Sequence, residues 1–184
     1  MLREQLVQQL QTAHALKTGA LRMFDPMLTA VAAERDGARM AEVTDLLGRM
    51  HGVFSAHRAQ TADHAGQLAA RLAALDARPA RGRLAGMSVG ATARARLGAV
   101  GGQNHGANAR DAFVFEHLEI ATLHLLEQLA ERTGDAETAR VASACRAEDE
   151  EQAATINRNW ANVLSLTLAS AGLPTLRPSA ERPT

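Results

Sequence analysis

Between residues 40 and 75, the positions of one largely apolar face recur at alternating steps of three and four. The pattern continues for 36 residues without a break. Its positions are Met40, Val43, Leu47, Met50, Phe54, His57, Thr61, His64, Leu68, Leu72 and Leu75. This spacing is that of one side of an α-helix. At about 1.5 Å per residue, such a helix is a rod of roughly 50 Å. The pattern therefore predicts one long amphipathic helix.

Three further segments show the same periodicity. The predicted helices span residues 2–34, 39–76, 108–133 and 135–168. Within the first, Pro26 is expected to kink the helix or to restart it with Asp25 as the cap. Gly37 is placed to end this helix, and Asp135 is expected to cap the fourth.

The connections between these helices indicate the type of bundle. Residues 77–107 are rich in glycine, arginine and alanine, and we expect them to form a long crossover between the second and third helices. The absence of tyrosine and the scarcity of other aromatic residues disfavour strands. Together these features predict an all-α, ferritin-like antiparallel four-helix bundle over residues 1–172. A disordered, proline-rich tail is expected at 173–184.

Charge and cysteine content exclude several classes of protein. The 20 basic and 20 acidic side chains give no net field that would attract nucleic acid or an anionic membrane. Cys145 is the only cysteine, so it cannot form an internal disulfide. The N-terminus is charged and amphipathic, unlike a signal peptide, and no apolar run reaches membrane-spanning length. We expect a cytoplasmic protein without nucleic-acid or membrane partners.

Each predicted helix carries polar residues on its apolar face, near its middle. They are Lys17 on the first helix, His57, Thr61 and His64 on the second, Glu116 and Glu119 on the third, and Glu148 on the fourth. A single histidine in such a position is usually a hydrogen-bonded core residue. A carboxylate in apolar surroundings is costly unless it is paired or coordinated. Four helices with polar residues at one depth therefore indicate a polar site in the core.

The third helix carries the motif "ARDAFVFEHLEIATLHLLEQLAERTGDAETA". It resembles the third-helix signature of the ferritin-like YciE/YciF family, a stress-associated group. The segments "AHALKTGAL", "HRAQTADHAGQLAARL" and "RAEDEEQAATI" of the other helices are similar to the same family, so the resemblance covers residues 2–165. It implies a ferritin-like bundle with a two-metal carboxylate site, often proposed as a ferroxidase-like centre.

Several residues depart from the pattern that this resemblance implies. A glutamate is expected where the chain has Lys17, and two adjacent glutamates where it has Ala59 and Gln60. Ala62 replaces a histidine found in some members, and Leu123 replaces a common tyrosine. Half of the implied ligand set remains, on the third and fourth helices.

The candidate metal ligands are Glu116, Glu119, Glu148 and His57, with Lys17, His64 and Gln60 as charge-compensating neighbours. Two divalent ions about 3.5–4 Å apart need several bridging carboxylates. An ammonium on the same face would repel such ions by several kcal/mol at reduced dielectric. We therefore expect Lys17 to pair with Glu116 or Glu148 and to replace metal as the counter-charge. The alternatives are a lysine that reaches the surface and leaves the site vacant or with one ion, and a complete two-metal site.

Imidazole and carboxylate ligands together suit zinc, iron or manganese. His57 and His64 lie roughly 10 Å apart along the helix, so at most one of them could join the carboxylates around one ion. Three functions fit these features. They are a stress-associated bundle protein with an incomplete metal site and inefficient ferroxidase activity, an iron- or manganese-dependent oxidase or ferroxidase on Glu116, Glu119 and Glu148, and a non-catalytic partner-binding module.

The third helix has apolar residues on most of its sides, from Phe113 to Leu129. A helix of this kind must be covered on both sides, by the crossover or by another subunit. We expect a homodimer or a larger homo-oligomer with closed symmetry.

Overall fold

The computed structural model describes residues 1–80 and 105–173, and within these ranges it consists of α-helices without strands. The helices are α1 (Leu2–Gly37), α2 (Ala41–Ala74), α3 (His105–Thr133), α4 (Ala136–Arg158) and α5 (Trp160–Ser170). The predicted all-α class is confirmed. Most of the crossover predicted over 77–107 lies outside the described residues, and so does the predicted tail beyond Leu173.

Short turns set the arrangement of the bundle. Three residues join α1 to α2 and two residues join α3 to α4, so each pair is antiparallel and packs side by side. Contacts between α1 and α3 link the two pairs, while α5 packs against α2 and α3. None of the helices in residues 1–80 and 105–173 combines the length and apolarity needed to cross a bilayer.

The turn between α3 and α4 confirms the predicted cap. The carboxylate of Asp135 accepts a hydrogen bond from the Thr138 amide at 3.0 Å. Gly134 before it has a φ of +73°, a left-handed conformation that suits glycine. Arg71 of α2 donates to Thr138 Oγ1 and to Asp135, each at 3.0 Å, and so ties α2 to the start of α4.

The helix α1 continues through Pro26 without restarting, so Asp25 is not a cap. Proline removes the hydrogen bond to the carbonyl of Arg22. Both Pro26 and Arg22 are exposed, and water can satisfy that carbonyl. Phe24 and Val31, which flank the proline, are buried in the core and hold both halves of the helix in place.

The fourth predicted helix is divided at Asn159, where α4 ends and α5 begins. The Asn159 side chain donates to the carbonyl of Thr155 at 2.7 Å. Asparagine competes in this way with the backbone hydrogen bonds of a helix. The prediction of one unbroken helix over 135–168 is wrong at this residue.

The apolar core has two parts with a polar layer between them. One part contains Leu6, Leu10, Leu68, Leu72, Leu123, Leu126, Val141 and Cys145. The other contains Val31, Val43, Leu46, Leu47 and Leu166. On α1, Lys17 lies between Leu10 and Val31 in the sequence, and the buried histidines of α2 lie between Leu47 and Leu68. This middle layer is where the four helices bring their ionisable groups together.

Candidate functional site

Ionisable side chains from all four long helices are buried in the middle layer. They are Lys17 of α1, His57 and His64 of α2, Glu116 and Glu119 of α3, and Asp149 of α4, which we call the charge cluster. The two histidines of the third-helix motif, His117 and His124, are exposed. The helical spacing thus separates the inward carboxylates of α3 from its outward histidines.

Lys17 is at the centre of the charge cluster, with 1 % of its surface exposed. Its Nζ donates to Asp149 Oδ1 at 2.7 Å, to Asp149 Oδ2 at 2.6 Å and to Glu119 Oε2 at 3.1 Å. Burial by itself lowers the pKa of Lys17, but the two carboxylates raise it above its usual value. The lysine is therefore charged, and the alternative in which it reaches the surface is wrong.

The partners of Lys17 differ from the predicted ones, Glu116 and Glu148. The carboxylate that α4 contributes to the core is Asp149, whose side chain has no exposed surface, whereas that of Glu148 is 50 % exposed. The buried side of α4 continues from Cys145 by a step of four to Asp149. The prediction used a step of three from the same cysteine, which leads to Glu148 at the rim.

Glu148 and His64 connect the charge cluster to its rim. Glu148 Oε2 accepts from Gln60 Nε2 at 2.6 Å and lies 2.9 Å from His64 Nε2. The other nitrogen of His64, Nδ1, is 3.5 Å from Asp149 Oδ1. Burial alone lowers the pKa of His64, but its contacts with Asp149 and Cys145 raise it to about 10. His64 therefore adds a second positive charge to the cluster at neutral pH.

The remaining contact of the cluster joins α2 to α3. His57 Nε2 lies 2.7 Å from Glu116 Oε1, and both side chains are buried. The His57 and Phe24 rings are nearly perpendicular, with their centroids 5.0 Å apart. Thr61 donates to the carbonyl of His57 at 2.9 Å and completes the inward face of α2.

Two carboxylate oxygens of the charge cluster, Glu116 Oε2 and Glu119 Oε1, are buried and have no hydrogen-bond partner within residues 1–80 and 105–173. Glu116, Glu119 and Asp149 each offer an oxygen atom, and these three atoms lie within 4.8 Å of one another. Burial, the largest effect, raises the pKa of Glu119 to about 7, although Lys17 lowers it. Unpartnered acceptors at this spacing suit a proton or a cation, so the three carboxylates could hold a metal ion.

Comparison with known proteins adds a family to this geometry. The family described as "Domain of unknown function (DUF892)" matches residues 1–169. The chain belongs to the DUF892 family. No protein with curated annotation matches it. A crystal structure of a protein from Xanthomonas campestris pv. campestris str. ATCC 33913 is similar to this DUF892 chain, with a TM-score of 0.68 and 18 % identity. The likeness covers 94 % of this chain and 100 % of that one, and it shows the fold.

The described residues of this DUF892 chain do not fit a pair of metal ions. The middle layer supplies three buried carboxylates, but α1 adds an ammonium and the Gln60 amide of α2 contacts Glu148 at the rim. Two divalent ions need more negatively charged ligands than three carboxylates, two of which are paired with an ammonium. The donor atoms of Glu116, Glu119 and Asp149 fit one ion by their chemistry, with Lys17 beside them as a competing cation.

Lys17 is the only lysine among the 20 basic residues of the chain. Its ammonium is compact and donates in three directions, whereas a guanidinium is planar and larger. Three donors match the three carboxylate oxygens that Lys17 contacts. The sequence shows this signal directly, because the one lysine lies on an apolar helix face in a chain that otherwise uses arginine.

Proposed function

We propose that this DUF892 chain is a ferritin-like, stress-associated bundle protein of the YciE/YciF type that acts in the cytoplasm. Its two-metal centre is altered and incomplete, and the protein is not an efficient ferroxidase. The observation that carries this proposal is the position of Lys17, whose buried Nζ lies 2.6 Å from Asp149 and 3.1 Å from Glu119. The motif resemblance to the stress-associated family supports the biological role.

The charges of the cluster support a core that is complete without metal. Lys17 and His64 supply two positive charges, and Asp149 accepts from the lysine while it faces the histidine. Glu119, with a pKa of about 7, carries only part of a negative charge at neutral pH. A divalent ion beside Glu119 and Asp149 would meet the ammonium at short range, where repulsion costs several kcal/mol at reduced dielectric.

Metal analysis tests this proposal. Wild-type protein, expressed in medium supplemented with iron and manganese and measured by inductively coupled plasma mass spectrometry, is expected to hold well under one ion per chain. Lys17→Glu restores a carboxylate to α1 and removes the competing cation, so its iron or manganese content should rise above wild type. Lys17→Met is the matched control, because it removes the cation without adding a ligand. Stoichiometric metal in the wild type would contradict the proposal.

A second candidate is an iron- or manganese-dependent oxidase with a single ion. The observation that favours it is the pair of buried oxygens on Glu116 and Glu119, which have no partner in the described part of the chain and lie near a third carboxylate. Asp149 would then take the ligand position first assigned to Glu148. On this hypothesis the wild type holds one ion per chain, and Glu116→Gln loses it. The third function, partner binding through the crossover, involves residues mostly outside the described ranges.

We also propose that the protein forms a two-fold symmetric dimer through α3. Val114, Leu118 and Leu125 are exposed by 62 %, 42 % and 51 %, and steps of four and seven place them on one side of the helix. An isologous interface uses the same patch on both subunits, and this stripe offers such a patch.

Sedimentation velocity tests the dimer. Leu118→Glu, which places a charge in the stripe, is expected to convert the wild-type dimer into a monomer. Leu164→Glu is the control, since Leu164 of α5 is similarly exposed at 47 % but lies outside the stripe. A wild type that sediments as a monomer at high micromolar concentration would rule out this assembly.

A further inference from the structure

A cavity of about 180 Å³ lies in the part of the core that contains Val31, Leu46 and Leu166. Its walls come from α1, α2, α3 and the α4–α5 segment. Its walls are mainly apolar, with Val31, Leu46, Met50, Ile156, Val163 and Leu166 among the residues that line it. None of the six residues of the charge cluster lines this cavity. It is therefore a separate feature, which the proposed function does not use.

The volume and lining of the cavity limit what it could hold. A dry, apolar cavity of about 150 Å³ is known to accept benzene, whereas pockets for drug-sized ligands measure about 300–1,000 Å³. A cavity of about 180 Å³ therefore suits one short alkyl chain or one aromatic ring. The few polar groups in the wall limit binding of a fully polar molecule.

Several polar residues of the wall already have hydrogen-bond or ion-pair partners. Asn159 donates to the carbonyl of Thr155, and Asn162 donates to Asn159 Oδ1. His105 pairs with Glu34 at 3.0 Å. These groups are engaged by their neighbours, so they do not determine which ligand would bind.

Arg49 of α2 differs from these groups. Its side chain lines the cavity and is exposed, which places it at the opening, and it forms no ion pair or hydrogen bond within residues 1–80 and 105–173. Some arginines of the bundle have acidic partners, such as Asp25 for Arg58, while Arg22 also has none among the described residues but does not line the cavity. An arginine without a carboxylate partner, beside an apolar cavity, is complementary to a ligand that carries both an acid group and an apolar body.

We propose that this cavity binds a small amphipathic carboxylic acid, such as a medium-chain fatty acid, with its apolar body among the side chains around Leu166 and its carboxylate on the Arg49 guanidinium. The apolar body supplies affinity by leaving water, and the arginine selects an acid over its neutral analogue.

Titration calorimetry with octanoate and octanamide, below their aggregation concentrations, tests the proposal. Octanoate is expected to bind once per chain and about tenfold more tightly than octanamide, because a hydrogen bond to a charged group is stronger than a neutral one. The single tryptophan, Trp160, follows Asn159 of the cavity wall in the sequence and gives a second, fluorescence readout. Absence of saturable octanoate binding, or equal affinity for both compounds, would overturn the proposal.

Two variants locate the binding site. Arg49→Gln should lower octanoate affinity about tenfold and leave octanamide affinity unchanged, because only the charge is removed. Arg22→Gln is the matched control, since Arg22 is an exposed arginine of α1 that does not line the cavity. Ala112→Leu places extra carbon atoms against the cavity and should weaken both compounds. Equal effects of Arg49→Gln and Arg22→Gln on octanoate would show that binding occurs elsewhere.

Discussion

Replacement of Lys17 by methionine is expected to lower the free energy of unfolding by about 3–5 kcal/mol, which is the usual cost of removing one partner from a buried ion pair. The variant keeps most of the volume of the side chain, but it leaves Asp149 and Glu119 without the donor that they share. Urea denaturation at neutral pH, followed by circular dichroism, measures the change. Lys17→Ala should lose at least as much, because it adds a cavity to the loss of charge.

A chemical readout checks the same prediction without a mutation. Since Lys17 is the only lysine, the chain has just two amino groups, and only the N-terminal one is exposed. Reductive methylation followed by mass spectrometry should modify the N-terminus alone in the native protein, and both groups in urea. Rapid methylation of native Lys17, or a loss below about 1 kcal/mol in Lys17→Met, as expected for a surface pair, would show that the ammonium is solvated.

Asp149→Asn is expected to be destabilising by a similar amount, about 3–5 kcal/mol, because the aspartate lies between two buried cations. Lys17 is 2.6 Å from Asp149 Oδ2 and His64 is 3.5 Å from Asp149 Oδ1, so the variant leaves these positive charges facing each other without a carboxylate between them. Glu148→Gln provides the control at the adjacent position. The Glu148 side chain is half-exposed, and exposed ion pairs contribute about 0–1 kcal/mol to stability. Glu148→Gln should therefore lower the free energy of unfolding by no more than this.

The loss of stability in Asp149→Asn should depend on pH, because Asp149 faces the ionisable side chain of His64. Its pKa is raised from 6.5 to about 10 in the folded protein, so its stabilising effect is complete below pH 6.5 and is lost as the pH rises toward 10. The difference in unfolding free energy between wild type and Asp149→Asn should therefore narrow over this range. A larger loss in Glu148→Gln than in Asp149→Asn would return Glu148 to the core position that the sequence first suggested.

The periodicity of the sequence was sufficient to predict the fold. Steps of three and four along each segment located the long helices, and the short turn at Gly134 with its Asp135 cap was also predictable, because these signals are local. The burial of Lys17, Glu116 and Glu119 followed from the same spacing. Local signals were less reliable at two residues that can either interrupt a helix or be accommodated within it. Pro26 does not restart α1, and Asn159 divides the last helix.

The composition of the charge cluster depended on tertiary packing. From Cys145, a step of three turns about 60° to one side of the helix and a step of four about 40° to the other, so Glu148 and Asp149 both lie near the seam. Contacts with α1 and α2 determine which of the two carboxylates is buried. Asp149 turns inward to Lys17, and Glu148 stays at the rim. The cavity beside Arg49 likewise arises where four helices meet, and no single helix encodes it. The sequence determined which faces are buried, and the packing of those faces determined which charges meet.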